Sequence, residues 1–298
     1  MIKTWKKFFG YIISTIDWFD LFSGLMMMLL GLGLARHFGY RLEWSDFLRI
    51  CMWFMFFKIA VYYLDAIFSG ELDQALLKLI NPNSASFRIQ VRNLLLVFTI
   101  ALLVVGFLPI YQLIDKRSLN ELSSLLLAVI ILGNLIFFIK ELEQLLAGFN
   151  ELVTAFTSAI LLPALIYSLY SENMNLYLVF ITLPLFLQIL AWKLVNNLNL
   201  KMLVKRFQSA SMIERIGPLN TLYVVIALVL ISCLSLAFPL ESIGIVNKLF
   251  ILPVGMGAVW FTFKSIKVQK SNWEKATLLV TLLPFVTSLS MIFSLWLN

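Results

Sequence analysis

The stretch YYLDAIFSGELD at residues 62–73 joins the end of a long apolar segment to three closely spaced carboxylates, Asp65, Glu71 and Asp73. Acidic side chains at the end of a membrane-spanning segment are costly to remove from water, and proteins usually retain them for a function. The stretch is therefore the first candidate for a functional site, and its meaning depends on the segments around it.

The composition of the whole chain indicates a membrane protein. Hydrophobic residues make up 61% of the 298 residues and charged residues only 13%, and the mean hydropathy is +0.93. Apolar segments of this length and number exceed what the core of a soluble domain can bury. We therefore predict an all-α integral membrane protein in which residues 1–298 form a single polytopic transmembrane domain.

Nine segments have the length and hydropathy of transmembrane helices. The predicted spans are 19–35, 47–65, 94–114, 122–139, 152–169, 176–198, 219–238, 249–263 and 276–297. Of the 23 lysine and arginine residues, fifteen lie on one side of the membrane and six on the other, in loops or at span ends, and Lys58 and Lys193 lie deeper within spans. Because positive residues accumulate in cytoplasmic loops, we predict a cytoplasmic N-terminus, an external C-terminus and a multi-pass protein of the bacterial inner membrane.

Several kinds of site are not expected from the composition. Cys51 and Cys233 both lie in apolar segments, where a thiol behaves as a small hydrophobic group, and His37 is the single histidine. Disulfides, zinc sites, iron–sulfur clusters and multi-histidine haem sites are therefore not expected. The formal charge of +7 follows from the positive cytoplasmic loops and does not indicate a nucleic-acid partner.

Three stretches of the chain, taken together, carry a resemblance to a known family. They are Asp65 with the following SGELD, LAGFNELVTAF at residues 146–156, and ILAWKLVNNLN at residues 189–199. In this order they resemble motifs of the UbiA prenyltransferase superfamily, closest to its menaquinone-type branch of 1,4-dihydroxy-2-naphthoate polyprenyltransferases. The branch reads approximately NDYFDxxSGVD, GLGELxxFxxFG and LLVNNxRDxxxD at these places. Nine helices with a cytoplasmic N-terminus also agree with the family.

The resemblance implies a helical bundle around a central cavity that is open laterally to lipid. In active members, magnesium held between two aspartate motifs binds an isoprenyl diphosphate, and the prenyl group is transferred to an aromatic acceptor. The resemblance therefore implies an isoprenoid-tailed ligand, for which quinones, carotenoids and pigment tails are compatible, and magnesium as cofactor if the protein is active. Membrane lipids and membrane-protein subunits are the other expected partners.

The first aspartate motif departs from the family pattern. Val61 and Tyr62 occupy the places of the family's Asn-Asp, Asp65 keeps the next aspartate, and Ser69 stands where a third acid often lies. Positions four apart share one helix face, so these changes remove acids from a single row. The remaining candidates for a metal half-site are Asp65, Glu71 and Asp73.

The second aspartate motif is absent. Asn196 and Asn197 match the paired asparagines of the family, but Asn199 and Leu200 stand where Arg-Asp is expected. No aspartate or glutamate occurs from residue 173 to residue 213. A magnesium ion bridging two carboxylate clusters therefore cannot be built as the family builds it, and most of the stabilisation of a departing diphosphate is lost.

Other polar side chains are candidates for lining a ligand site. They are Tyr62, Lys58, Glu151, Lys193, Asn196, Asn197, Lys205 and Arg206. Lys58 and Lys193 could extend to the cytoplasmic surface, or could neutralise Asp65 or Glu151 in an ion pair. Glu151 also lies at a helix start, where the dipole favours an acid. The two basic residues after the sixth span could bind a diphosphate or anchor to anionic headgroups.

Two hypotheses of different classes follow. The first is a UbiA-fold membrane protein with a degenerate metal site, non-catalytic, which binds an isoprenoid-type molecule or serves as accessory subunit of a membrane complex. The second is a divergent prenyltransferase in which Asp65, Glu71 and Asp73 hold one magnesium, with Asn196 and Asn197 as weaker oxygen ligands. A transporter that uses a buried Lys–Asp pair is a third, minor alternative. No catalytic residue is assigned.

Overall fold

The computed structural model describes residues 10, 13, 15–68, 85–138, 148–204, 212–237, 245–266 and 270–297, and the statements below concern these residues. Their regular secondary structure is helical throughout. The helices are α1 (Trp18–His37), α2 (Trp44–Phe68), α3 (Ala85–Asp115), α4 (Glu121–Leu135), α5 (Asn150–Ser168), α6 (Leu176–Val204), α7 (Met212–Ile216), α8 (Pro218–Ala237), α9 (Ile245–Ile266) and α10 (Lys270–Leu297).

The predicted all-α, multi-pass architecture is confirmed. Seven helices in the described part of the chain are long and apolar enough to cross a membrane, and two shorter apolar helices lie at Glu121–Leu135 and Ile251–Ile266. Each of the nine predicted spans coincides with one of these helices. α7 is an additional short helix between the sixth and seventh spans.

The chain divides into two compact units. The first contains Met1–Phe22 and Glu43–Leu119, so it holds the beginning of α1 together with α2 and α3. α2 and α3 pack against each other. Within α2 the rings of Trp53 and Phe57 stack, with 5.4 Å between the ring centres. An ion pair between Asp46 and Arg49 at 2.5 Å stabilises the first turn of α2.

The second unit contains Ser23–Leu42 and Asn120–Asn298. In this unit α6 packs against α8 and against α10. α9 packs against its two neighbours in the sequence, α8 and α10. α5 contains a π-helical turn at Thr157–Leu161, directly before Pro163. Gly31 of α1 lies against the Pro163 backbone, so the two helices approach more closely than a side chain at Gly31 would allow. Irregular turns of this kind inside long helices often mark functional regions.

Contacts at the helix ends of the second unit give the relative direction of two pairs of spans. The Asn120 amide, which caps α4, donates to the Ser168 carbonyl at the end of α5. The Arg36 guanidinium at the end of α1 lies 4.5 Å from the ring centre of Trp296 at the end of α10. α4 and α5 therefore run in opposite directions, and α1 and α10 run in the same direction. The cytoplasmic N-terminus and the single domain of residues 1–298 stay predictions.

Candidate functional site

Four side chains of the first unit form a polar cluster where α1 begins. They are Asp17, Asp20, Lys58 and Tyr62, and we name them the α1–α2 cluster. Lys58 Nζ lies 3.3 Å from Asp20 Oδ2, and the Tyr62 hydroxyl donates to the same oxygen at 2.7 Å. Lys58 and Asp20 are only 4% and 3% exposed. The cluster is therefore a buried ion pair between Lys58 and Asp20, and the aspartate also accepts a hydrogen bond from the Tyr62 hydroxyl.

Helix capping fixes the carboxylates of the α1–α2 cluster. Asp17 Oδ1 accepts the backbone N–H groups of Phe19 at 3.1 Å and Asp20 at 3.0 Å, as a helix N-cap does. Asp20 lies in the first turn of α1, where the helix dipole favours a negative charge. The Tyr62 hydroxyl also lies 3.4 Å from the Asp17 carbonyl oxygen. These bonds tie the beginning of α1 to the middle and end of α2.

The partner of Lys58 differs from the one that the sequence suggested. The sequence left open whether Lys58 extends to the surface or neutralises Asp65, and the structure pairs it with Asp20. Asp65 is exposed on the last turns of α2. Sequence reasoning missed Asp20. The spacing of Asp17 and Asp20 at a helix start is the capping signal that could have found it.

The predicted metal half-site is described only in part. Asp65 lies within the described residues, whereas Glu71 and Asp73 lie outside them. Within the described ranges, no group of three or more histidine, cysteine, aspartate or glutamate side chains is placed to hold a metal ion. The described residues therefore do not assemble a magnesium site by themselves, and we derive no chemical step through a metal.

In the second unit, Glu151 at the start of α5 joins three helices. Its Oε1 accepts a hydrogen bond from Asn197 Nδ2 of α6 at 2.9 Å, and its Oε2 accepts the backbone N–H of Met212 at 3.3 Å. Glu151 is 3% exposed. Met212 is the first residue of α7, so the carboxylate satisfies an N–H group that the helix itself leaves unpaired. We name Glu151, Asn197 and Met212 the Glu151 clip.

Gly148, which precedes α5, leaves room beside the clip for the Arg215 side chain to pass close to the backbone. Gly148 has a φ of +87°, a backbone conformation that favours glycine. A Cβ at this position would also lie only 2.8 Å from the Arg215 side chain. The Arg215 guanidinium continues over the ring of Phe149, 5.6 Å from its centre. The beginning of α5 and the residue before it are thus held against α7 by the Met212–Glu151 hydrogen bond and by the Arg215–Phe149 cation–π contact.

Two of the candidate residues named from the sequence, Glu151 and Asn197, are brought together by the fold. Lys193 does not pair with Glu151: its Nζ lies 4.8 Å from the centre of the Trp192 ring. Among the residues that the structure describes, no cation forms an ion pair with Glu151. Asn196 is half-buried beside the clip. The remaining candidates, Lys205 and Arg206, lie outside the described residues.

Substitution of Glu151 by alanine tests the clip. The variant leaves two half-buried donors, the Asn197 amide and the Met212 N–H, without their acceptor, and we expect a loss of about 1–2 kcal/mol of stability. Hydrogen–deuterium exchange should increase at Met212–Ile216. Glu121→Ala is the matched control, because Glu121 is an exposed acid in the first turn of α4. Equal exchange in the two variants would contradict a holding role for Glu151.

Comparison with solved structures shows the class of fold. A membrane enzyme of known structure aligns with nearly the whole chain, so this protein is an integral, multi-pass membrane protein with the UbiA-type fold. The solved structure is that of digeranylgeranylglyceryl phosphate synthase in membranes, with a TM-score of 0.63 and 15% sequence identity. The match covers 97% of this chain and 96% of that chain. No family model and no curated protein sequence matches.

This likeness extends to the fold and no further, because the sequence identity is low. It supports the UbiA resemblance inferred from the three sequence motifs. The menaquinone-type branch and the degenerate state of the two aspartate motifs stay predictions. In both clusters the polar groups bond to one another. The α1–α2 cluster contains an ion pair, and in the Glu151 clip a carboxylate accepts hydrogen bonds from a side-chain amide and a backbone N–H.

Proposed function

We propose that the protein binds an isoprenoid-type molecule, such as a quinone, a carotenoid or a pigment tail, and performs no prenyl transfer. It acts in the bacterial cytoplasmic membrane, as an isoprenoid-binding protein or as an accessory subunit of a membrane complex. The observation that carries this proposal is the 2.9 Å hydrogen bond from Asn197 to Glu151. Asn197 lies where the resemblance aligns the second aspartate motif, and its amide is engaged within the protein.

The chemistry of prenyl transfer supports the non-catalytic part of the proposal. A departing diphosphate needs concentrated positive charge, which magnesium held by two carboxylate clusters supplies in active UbiA enzymes. α6 contains no carboxylate, since residues 173–213 include no aspartate or glutamate. Glu151, the carboxylate bonded to α6, already accepts two hydrogen bonds. On this side of the metal arrangement, α6 therefore supplies amide oxygens and no carboxylate.

The fold supports the isoprenoid-binding part of the proposal. The similar solved structure is a synthase whose product name contains two geranylgeranyl groups, which are isoprenoid chains. A UbiA-type helical framework is therefore compatible with holding an isoprenoid chain within the bilayer. Apolar helices need no specific polar contact to retain such a chain, so this capacity survives the loss of metal ligands.

The experiment combines a turnover assay with lipid analysis. Purified protein incubated with magnesium, labelled polyprenyl diphosphates and aromatic acceptors is expected to form no prenylated product. Mass spectrometry of the extracted lipids is expected to find a retained isoprenoid-tailed molecule. Asp65→Asn is the control, because Asp65 keeps a family position in the first motif. Turnover in the wild type that disappears in this variant would contradict the proposal and establish a divergent prenyltransferase.

A further inference from the structure

The backbone hydrogen bonding of α5 is interrupted in the middle of the helix. In the π-helical turn Thr157–Leu161, the Leu162 N–H donates to the Thr157 carbonyl. The Ser158 carbonyl would take its donor from Leu162 in an α-helix or from residue 163 in a π-helix, but the first is engaged and the second is a proline without N–H. Among the described residues, the buried Ser158 hydroxyl has no hydrogen-bond partner either. α5 therefore contains two common causes of a sharp helix bend, a proline and a π turn.

The neighbouring helix α6 is interrupted at the same level. Pro184 lies inside α6 and removes the N–H that would bond to the Phe180 carbonyl. The Glu151 clip joins the start of α5 to the last turns of α6, so the two helices are antiparallel. The rings of Phe156 and Phe186 lie 6.3 Å apart between them. The π turn follows Phe156 and Pro184 precedes Phe186, so both interruptions lie at one level, on the same side of this ring contact.

On one side of this level, the Glu151 clip fastens three pieces of chain together. The pieces are Asn150–Phe156 of α5, residues 185–198 of α6 and the short helix α7. The carboxylate of the clip accepts a hydrogen bond from α6 and another from α7. We name these three pieces the clip body, because one buried side chain of α5 holds the other two.

On the other side of this level, α5 and α6 are fastened to different partners. The side chain that caps α4 donates to the carbonyl at the end of α5. The ring of Phe38, just beyond α1, makes edge contacts with Tyr167 and Tyr177, with 6.1 Å and 5.8 Å between the ring centres. Gly31 of α1 lies against the Pro163 backbone, directly after the π turn. The outer halves of α5 and α6 are therefore held by α1 and α4, and not by the clip.

Distances along α6 determine how far a bend displaces the clip. Gln188 lies one turn beyond Pro184, and its amide donates to Ser232 of α8 at 2.8 Å. Asn197 of the clip lies about 20 Å beyond Pro184 at 1.5 Å per residue. A change of about 10° in the bend therefore moves the clip by about 3 Å and leaves the nearby contact of Gln188 with Ser232 almost in place.

We propose that the clip body swings as one piece against the rest of the second unit, bending at the π turn of α5 and at Pro184 of α6. The contact between Gly31 and the Pro163 backbone is the pivot for α5, and the hydrogen bond of Gln188 is the pivot for α6. The bend breaks no regular backbone hydrogen bond at these places, because the prolines have already removed them. Hinges of this kind need only a few residues that absorb the change in direction.

Double electron–electron resonance between spin labels in lipid nanodiscs tests this movement. The background is Cys51→Ala/Cys233→Ala, which removes both native cysteines. Labels at Leu152→Cys and Tyr223→Cys join the clip body to α8, a helix without an internal proline. Labels at Glu172→Cys and Leu234→Cys join the opposite end of α5 to α8 and are the matched control. We expect the first distance distribution to be wider than the second by about 3 Å.

Two further measurements locate the bend and the moving piece. Pro163→Ala/Pro184→Ala returns an N–H group to each helix and is expected to narrow the Leu152–Tyr223 distribution to the width of the control. Labels at Leu152→Cys and Asn196→Cys both lie on the clip body, so their distribution should be narrow. Glu151→Ala opens the clip and should widen it.

Each outcome supports or overturns a stated part of the proposal. Equal widths for the two wild-type pairs that end on α8 would overturn the swing, and this comparison does not depend on the folding of any proline or clip variant. An unchanged width in the double proline variant would overturn the assigned bend. A wide Leu152–Asn196 distribution in the wild type would overturn movement as one piece. The measurement uses no added ligand, so its failure leaves the proposed isoprenoid-binding function untouched.

Discussion

Replacing Asp20 by leucine is expected to lower the free energy of unfolding by about 3–5 kcal/mol, the cost of breaking a buried ion pair from one side. The substitution leaves the Lys58 ammonium charged at a position that is 4% exposed. It also removes the acceptor of the Tyr62 hydroxyl. The midpoint of thermal unfolding in detergent, followed by tryptophan fluorescence, measures the loss.

The double variant Asp20→Leu/Lys58→Met is the matched control for this effect. It replaces both charges by apolar groups of similar size, and such replacements of buried ion pairs are often neutral or stabilising. We therefore expect the double variant to regain most of the stability that the single variant loses. If the double variant unfolded as early as Asp20→Leu, the loss would come from packing, and the ion pair would not be what holds α1 to α2.

Substituting Gly31 by alanine is expected to destabilise the second unit by about 3 kcal/mol, the upper part of the range for overpacked cores. A Cβ at Gly31 would overlap the carbonyl oxygen of Pro163 and lie 2.9 Å from its Cα. These are backbone atoms beside the π-helical turn of α5, so they cannot rotate away as a flexible side chain would. Thermal unfolding in detergent measures the effect.

Gly133→Ala is the control for the Gly31 prediction. Gly133 also lies in a helix, but a Cβ there would meet Thr157 Oγ1 at an ordinary contact distance of 3.5 Å. Alanine is also a better helix former than glycine, so we expect Gly133→Ala to be neutral or slightly stabilising. Unfolding midpoints that agree between the two variants would show that the contact between α1 and α5 tolerates an added side chain.

The number and order of spans could be predicted from the sequence because membrane helices leave a strong local signal. Each needs a long apolar run, and the bilayer sets its length. The helix ends were less predictable. The predicted fourth span, 122–139, reaches beyond Leu135, where α4 changes into a 3₁₀ turn at Ile136–Phe138. The π-helical turn in α5 has no hydropathy signal, because it depends on packing against neighbouring helices.

The polar contacts of the candidate site could be predicted only in part. The motifs pointed to Glu151 and Asn197, but their hydrogen bond joins residues 46 positions apart and depends on the packing of two helices. A lysine inside a span needs a counter-ion, and hydropathy does not say which one. Asp65 follows Lys58 on the same helix, whereas the actual partner, Asp20, lies 38 positions away on α1.

We propose above all that this UbiA-type fold holds an isoprenoid molecule and does not transfer prenyl groups. The most direct measurement is mass spectrometry of the purified protein and its extracted lipids, before and after incubation with magnesium, a polyprenyl diphosphate and aromatic acceptors. We predict an isoprenoid-tailed molecule that remains bound and chemically unchanged, with no prenylated acceptor. A preparation without any isoprenoid lipid, or the appearance of prenylated acceptor, would contradict the claim.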